Sequence, residues 1–531
     1  MKNKVYLILF LSFVLICCKK PTHGNIQMTF TIDQFDVTND KMNVNIIIEN
    51  NSFMDLRGGA WELHWNQMKG FVQVESLAEG IDFEWINGAH YFVLKFDKQW
   101  SLPPGESIQF SIQQKGIMDR IAMGPVGVFI VMDDETLAVT TDVEWRKAKG
   151  LENLSIPTAQ DRYATMEGLK KLEKTELNWI VPSPNHLFFD GSFRNKDSLW
   201  SVDLDEQFSQ QKKRLSPLVE SIFEIKTLWG QSSNANFLIR YDPAQKSEAY
   251  QLTIAKNIIT LKASDYSGIV YGFQSLRQII TTSNLEGLEW PLLEINDSPR
   301  FSYRGFLLDV ARNFYGPTKI KEVLDLMSLF KLNHLDFRLT DDEGWRIEIP
   351  DLPELTDIGA KRGYSQEQKD RLIPMYGSGA DGGETGNGYI NRQEFIDLLK
   401  FAHQRAIKIM PQISFPSHAR AAIKAMDHRH ENPQVHENKD EIKSYQLSDP
   451  DDQSKYRSAQ NYNDNIICIC QESAYHFYEK VVDEILAMYK DAEVPIDLFS
   501  IGADVLPYGV WTASPICKDF IANNTQGISD V

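Results

Sequence analysis

The chain has 531 residues, 42% apolar and 24% charged, enough for roughly three or four domains at about 150 residues each. That composition excludes a disordered chain, a collagen-like fibre and a small disulfide-stapled scaffold. Lys and Arg number 55 against 73 Asp and Glu, and the resulting net charge of −18 repels phosphate backbones and argues against nucleic-acid binding.

Lys2 and Lys4 precede an apolar run from Val5 to Ile16, too short for a comfortable membrane span and fronted like a secretory signal. Leu15-Ile16-Cys17-Cys18 resembles a bacterial lipoprotein signal, with Cys18 the lipidated residue after cleavage. An ordinary cleaved signal peptide is the alternative. Residues 1–18 are read as the signal, and the protein as exported, either anchored by lipid to a cell-envelope membrane or released as a periplasmic or secreted protein.

Residues 25–150 carry short alternating stretches such as Met42 to Ile48, separated by turn clusters such as Arg57-Gly58-Gly59 and Pro103-Pro104-Gly105. This pattern predicts an all-β sandwich. A linker is expected around Ser155 to Gly168. Between residues 175 and 298 a hairpin (Ala249 to Ile254 with Ile258 to Leu261) and a helix from Ser267 to Ile280 predict a small α+β domain.

From residue 300 to 531, strand and helix alternate. Strands are expected at Phe306–Val310, His334–Thr340, Ile407–Ile413 and Leu498–Ile501, and helices at Thr318–Lys331, from a capping box of Asn391 and Glu394 through Arg405, and at Ser473–Lys490. That alternation implies a parallel sheet of the (β/α)8, TIM-type barrel. About four of the eight strand–helix units are counted, so the expectation is the first half of a barrel. Cys468 and Cys470 alternate with Ile in a segment read as a buried strand, without Cys or His partners at zinc spacing, and are expected as core residues.

Polar residues gather at the strand ends: Arg304 and Asp309 to Arg312, Thr340 to Arg346, Ser414 to Arg420, and Gly502 to Val505 followed by Trp511. Arg304 offers a fork of donors for sugar hydroxyls or a carboxylate, Asp341, Asp342 and Asp504 offer acceptors, and His418 can orient or shuttle a proton. The structural alternative is that the Asp residues cap helices and Arg304 pairs with a carboxylate. No Walker loop, nucleophile elbow or H-E-x-x-H helix competes.

The order of these motifs resembles glycoside hydrolase family 20, the β-N-acetylhexosaminidases. Glu49-Asn50-Asn51 and Trp61 to Trp65 are similar to the carbohydrate-binding domain of its chitobiase-like members, and Ile180 to Pro184 with Tyr271 to Arg277 to the domain preceding the barrel. Arg304-Gly305 to Arg312 and Leu339 to Arg346 carry the most specific likeness. The resemblance implies retaining hydrolysis of terminal N-acetylhexosamine from glycans, with the substrate's acetamido oxygen as nucleophile and neither cofactor nor metal. It places the acetamido-orienting Asp at Asp504, Arg304, Asp342 and Trp511 on the substrate, and Asp341 with His418 in the network behind the acid.

Several positions depart from the family pattern. The acid Glu falls on Val505, which can neither donate nor accept a proton, the preceding His on Ser500 and the second Gly on Ala503. Asp-x-Pro-Gly-His has become Ser414 to His418, and two histidines of the second strand stand as Asp336 and Arg338. Three readings stay open: a glycosidase of this family, a non-catalytic glycan-binding lipoprotein with Trp61 and Trp65 as a candidate sugar platform, and an inactive fragment or decayed copy.

Overall fold

Strict alternation in Met42 to Ile48 buries every second side chain of its strand, as a sheet with one covered face requires. The computed structural model describes residues 25–36, 38–67, 77–86, 90–116, 118, 120–149, 157–170, 179–230, 234–366, 369–432, 444–503 and 505–523. The signal segment and Cys18 lie outside them. The chain divides into two units, Met1–Ile86 with Phe92–Ile156, and Asn87–Tyr91 with Pro157–Val531.

The first unit is β-rich. Its strands are β1 (Asn25–Asp36), β2 (Lys41–Asn51), β3 (Trp61–Asn66), β4 (Ile81–Trp85), β5 (Tyr91–Phe96), β6 (Ser107–Lys115), β7 (Val126–Met132) and β8 (Glu135–Lys149). They form one hydrogen-bonded order, β4-β5-β3-β7-β8-β1-β2-β6. The 15-residue β8 makes this continuous, pairing antiparallel with β7 through its first part and parallel with β1 through its second. Trp61 and Trp65 are both core residues, Trp61 stacked on Phe96 at 3.8 Å, so neither is a sugar platform.

In the second unit the expected linker contains a helix, α1 (Ala159–Glu167), closed by a capping box of Thr158 and Asp161 and burying none of its side chains. A seven-stranded sheet follows: β9 (His186–Arg194), β10 (Leu199–Leu204), β11 (Lys226–Trp229), β12 (Phe237–Tyr241), β13 (Tyr250–Ile254), β14 (Ile259–Ala263) and β15 (Trp290–Asp297), in the order β11-β10-β12-β14-β13-β15-β9. Helices α2 (Lys212–Ile222) and α3 (Tyr266–Leu285) contribute to the same core. Gly268 lets α3 approach: a Cβ there would stand 2.3 Å from the Ala249 carbonyl oxygen.

Parallel strands β16 (Gly305–Asp309), β17 (His334–Arg338) and β20 (Lys408–Gln412) form the third sheet, with Asp309, Arg338 and Gln412 in line at their carboxyl ends. Two short strands, β18 (Thr340–Asp341) and β19 (Gly344–Trp345), fold over that end. Helices α4 (Pro317–Leu329), α5 (Glu354–Asp357), α6 (Gly383–Gly386), α7 (Arg392–Gln404), α8 (Arg420–Glu431), α9 (Glu472–Ala492) and α10 (Pro515–Asn523) complete the region, and α7 begins with the expected Asn391–Glu394 capping box. The fourth expected strand is reduced to one parallel bridge, Gln412 to Ser500, although Ser500 N–H and Phe415 N–H extend the pairing to the Pro411 and Ile501 carbonyls. Leu335, Phe337, Leu339, Ile320, Leu324 and Phe395 are buried in this core, each worth about 1.5–3 kcal/mol of apolar transfer. Residues 465–468 belong to no strand, so the strand expected there is absent.

Candidate active site

The short β18–β19 pair presents three consecutive acids, Asp341, Asp342 and Glu343, all buried. Its sharp return needs Gly344, where a Cβ would lie 2.5 Å from the Ala311 carbonyl oxygen. Arg346 holds the surrounding loops from below. Its buried guanidinium donates to the carbonyls of Val310, Ala311, Ala360, Gly386 and Gly388 at 2.9–3.3 Å. Gly344-Trp345-Arg346 is thus the scaffold of the site, and Trp345 Nε1 is spent on the Ile347 carbonyl at 2.6 Å.

Beyond β20, His418 sits at φ 55° and brings Nδ1 to 3.2 Å from Asp341 Oδ1 and 3.1 Å from Asp342 Oδ2. Burial opposes the imidazolium, but hydrogen bonds and charge from both carboxylates outweigh it and push the pKa up to about 10. Held between two carboxylates, the His418 ring is placed to orient both of them. Burial would raise Asp341, yet His418, Arg312 and Arg338 hold it below the usual carboxylate range. Burial and Asp341 raise Asp342. Glu343, burdened by burial and by Asp341 and Asp342, is pushed up to about 8 and is a neutral acid at pH 7.

Three expected contacts are corrected. Arg304 lies at the amino end of β16, the wrong end of the strand for the carboxylate network, and its guanidinium is committed to Glu248, Tyr271 and the Phe301 and Lys331 carbonyls at 2.7–3.0 Å. It fastens β16 to the preceding α+β region and has no donor facing that network. Asp342 is fully buried and accepts from Asn465 Nδ2, the Arg420 N–H and His418, so it supports rather than touches a sugar. Trp511 is also buried, with Nε1 on the Ile467 carbonyl at 3.1 Å.

Arg312 takes the position expected of Arg304. Its Nη1 meets Asp309 Oδ2 at 2.7 Å, Nη2 meets Asp341 Oδ2 at 3.0 Å, and the side chain remains 23% exposed at the carboxyl ends of the strands. The signal was within the quoted motif: Arg312 follows the strand, whereas Arg304 precedes it. Glu343 lies within the strand-end cluster Thr340 to Arg346 but is given no role there, and Asn465 carries no signal in spacing or chemistry. Arg338, standing where a histidine was expected, ion-pairs with Asp341 and adds a third cation around that carboxylate. Val505 is 37% exposed, and Asp504 lies outside the described residues.

Asp341, Asp342 and His418 place ligand atoms within 4.8 Å of one another. The proton on His418 Nδ1 already fills the role of a cation between the two carboxylates, so a metal there would have to displace it. The remaining cysteines correct the core reading in part: Cys470 and Cys517 form a disulfide, while Cys468 is buried and free.

Comparison with known proteins gives this arrangement its relatives. Residues 301–531 match the catalytic domain of glycosyl hydrolase family 20, and residues 178–298 match domain 2 of the same family. The chain is 40% identical over 260 residues to N,N'-diacetylchitobiase of Vibrio harveyi, covering 49% of this chain and 29% of that protein. It is 36% identical over 424 residues to a beta-hexosaminidase of Vibrio vulnificus, covering 79% and 49%. It therefore spans about half or less of the length of these relatives. The crystal structure of a GH20 exo beta-N-acetylglucosaminidase from Vibrio harveyi in complex with N-acetylglucosamine superimposes with a TM-score of 0.73 at 26% identity, over 96% of this chain and 72% of that one. Two matched domains in sequence order, with a buried Asp–His–Asp network at the carboxyl ends of parallel strands, show that the chain belongs to glycosyl hydrolase family 20.

Proposed function

We propose that this protein is a β-N-acetylhexosaminidase-type member of its family that takes the terminal N-acetylhexosamine of a glycan into its site, with the sugar's acetamido oxygen placed as nucleophile and turnover held low by Val505 at the acid position. The observation that carries the reading is the Asp341–His418–Asp342 network joined through Asp341 to the partly exposed Arg312. The parallel sheet β16-β17-β20 is taken as the opening part of a (β/α)8 barrel, with Arg312 serving the sugar hydroxyls and the acetamido role assigned to Asp504 from the family pattern alone. The Vibrio harveyi enzyme that superimposes on the chain is described as bound to N-acetylglucosamine, which supports this substrate class.

Val505 favours a second reading, glycan binding without turnover. Its side chain has no proton to give, and general acid catalysis contributes about 10²–10⁴-fold. Export with lipidation at Cys18 belongs to the same proposal and is supported by the Cys470–Cys517 disulfide, a bond that persists in oxidising compartments.

Calorimetric titration of the purified chain with N-acetylglucosamine and with glucose tests the sugar site. Saturable binding of the acetamido sugar alone, lost in Arg312→Met, is expected. Equal binding of both sugars, or binding unaffected by Arg312→Met, would overturn the assignment.

A further inference from the structure

Three sulfurs meet away from the carboxylate network. Cys470 is bonded to Cys517 across 47 residues, and the free Cys468 places its Sγ 3.8 Å from Cys517 Sγ. All three sulfurs lie within 4.8 Å of one another. Cys468 and Cys470 stand two residues apart on one segment and face the same partner, which is carried on α10. The free thiol also borders a cavity of about 490 Å³ that it shares with Asp427, Asp449, Asp464 and Trp511, an approach for small reagents and base.

We propose that Cys468, Cys470 and Cys517 form a thiol–disulfide exchange centre in which Cys517 is crosslinked to either of the other two. Hydroxide removes the Cys468 thiol proton; because the three sulfurs stand in a bent array, the thiolate turns into line with the Cys470–Cys517 bond and then attacks Cys517 Sγ. The Cys468–Cys517 bond forms as the Cys470–Cys517 bond breaks, and Cys470 leaves with the electron pair and takes up a proton. One thiol and one disulfide enter and leave, so no oxidant or reductant is consumed. Burial pushes the Cys468 thiol up, and Asp449 and Asp452 act in the same direction, so alkaline solution promotes the exchange. Asp427 and Asp464 across the cavity add negative charge, while Lys424 is paired with Asp464 at 3.0 Å.

The exchange would move the crosslink two residues toward Asn465, whose amide holds Asp342 at 2.9 Å, and would leave Cys470, the less buried of the pair, as the reactive thiol. The position of the crosslink is thereby tied to the acid network through a three-residue segment. A second link runs from Trp511 Nε1 to the Ile467 carbonyl, so the segment downstream of Val505 follows the same shift.

The test is disulfide mapping of the full chain after incubation at pH 7 and pH 9 without reductant. Samples are quenched in acid, alkylated with N-ethylmaleimide, and digested unreduced, with the label located by fragmentation. The expected result is label on Cys468 at pH 7, and at pH 9 at least a tenfold rise in the Cys468–Cys517 crosslink with matching label on Cys470. Among Cys468, Cys470 and Cys517, label confined to Cys468 at both pH values would overturn the proposal. Cys470→Ser gives a second reading: exposed to dissolved oxygen, which supplies the two-electron oxidation, the folded variant is expected to close Cys468–Cys517 and leave neither of these two thiols open to label, and label on both would contradict it. Should Cys470→Ser fail to fold, the mapping of the unaltered chain decides.

Discussion

His418 supplies the sharpest physical prediction, because its charge state is set by two carboxylates at 3.1 and 3.2 Å. Its pKa stands near 10 in the folded chain against 6.5 for the free side chain. Each unit is about 1.4 kcal/mol, so the imidazolium contributes on the order of 5 kcal/mol to folding. The folded state binds the proton more tightly than the unfolded one. The contribution is therefore complete below pH 6.5, declines as pH rises, and is gone once pH passes about 10. Glu343 has the same sign: raised to about 8 from 4.5, it stabilises fully below pH 4.5 and loses that contribution through pH 8. Both depend on Asp341, so the two effects do not add.

The assay is NMR titration of histidine-labelled protein, with His418→Gln assigning the resonance. His64, His90, His334 and His403 are all shifted downward, mainly by burial, so His418 is expected to be protonated at pH 9 when these have long been neutral. Urea unfolding at pH 7 and pH 9.5 should show a steeper loss of stability in the unaltered chain than in His418→Gln. A His418 resonance titrating between pH 6 and 7.5, or equal pH slopes for the two proteins, would refute the electrostatic account.

Arg304→Met should cost about 3–5 kcal/mol by stranding the partly buried Glu248, while sugar binding by the folded fraction is unchanged; thermal unfolding and calorimetry read the two separately. Arg346→Met should be at least as damaging, since five backbone carbonyls lose their donor, and denaturant titration should show a loss of more than about 3 kcal/mol. Gly268→Ala forces a Cβ to 2.3 Å from the Ala249 carbonyl, so a loss of about 1–3 kcal/mol is expected in the same measurement, and a neutral result would show that α3 can lift from its sheet.

The elements with strong periodicity were legible. Helix α7, with its apolar face and its Asn391–Glu394 box, and the hairpin of β13 and β14 emerge where alternation and capping place them. Pairing between distant segments was not. Nothing local marks β8 as the strand that joins both parts of the first sheet, and the Cys470–Cys517 bond spans residues with no common pattern. The site shows the same division. Asp341 and His418 belong to motifs whose chemistry is visible in sequence, but choosing between Arg304 and Arg312 requires knowing which end of β16 faces the acids. Asn465 reaches Asp342 from 123 residues away, a contact only the fold creates. The strand expected at 465–470 fails because apolar alternation there serves burial beside Trp511 rather than a ladder.

The most direct test of the functional account is the rate at which the purified chain releases the aryl group from an aryl N-acetyl-β-glucosaminide, measured beside Val505→Glu. With a valine at the acid position, the account predicts little or no turnover by the unaltered chain and a gain of about 10²–10⁴-fold in the variant. Turnover by the unaltered chain at the variant's rate would contradict it, and would mean that another group protonates the leaving oxygen.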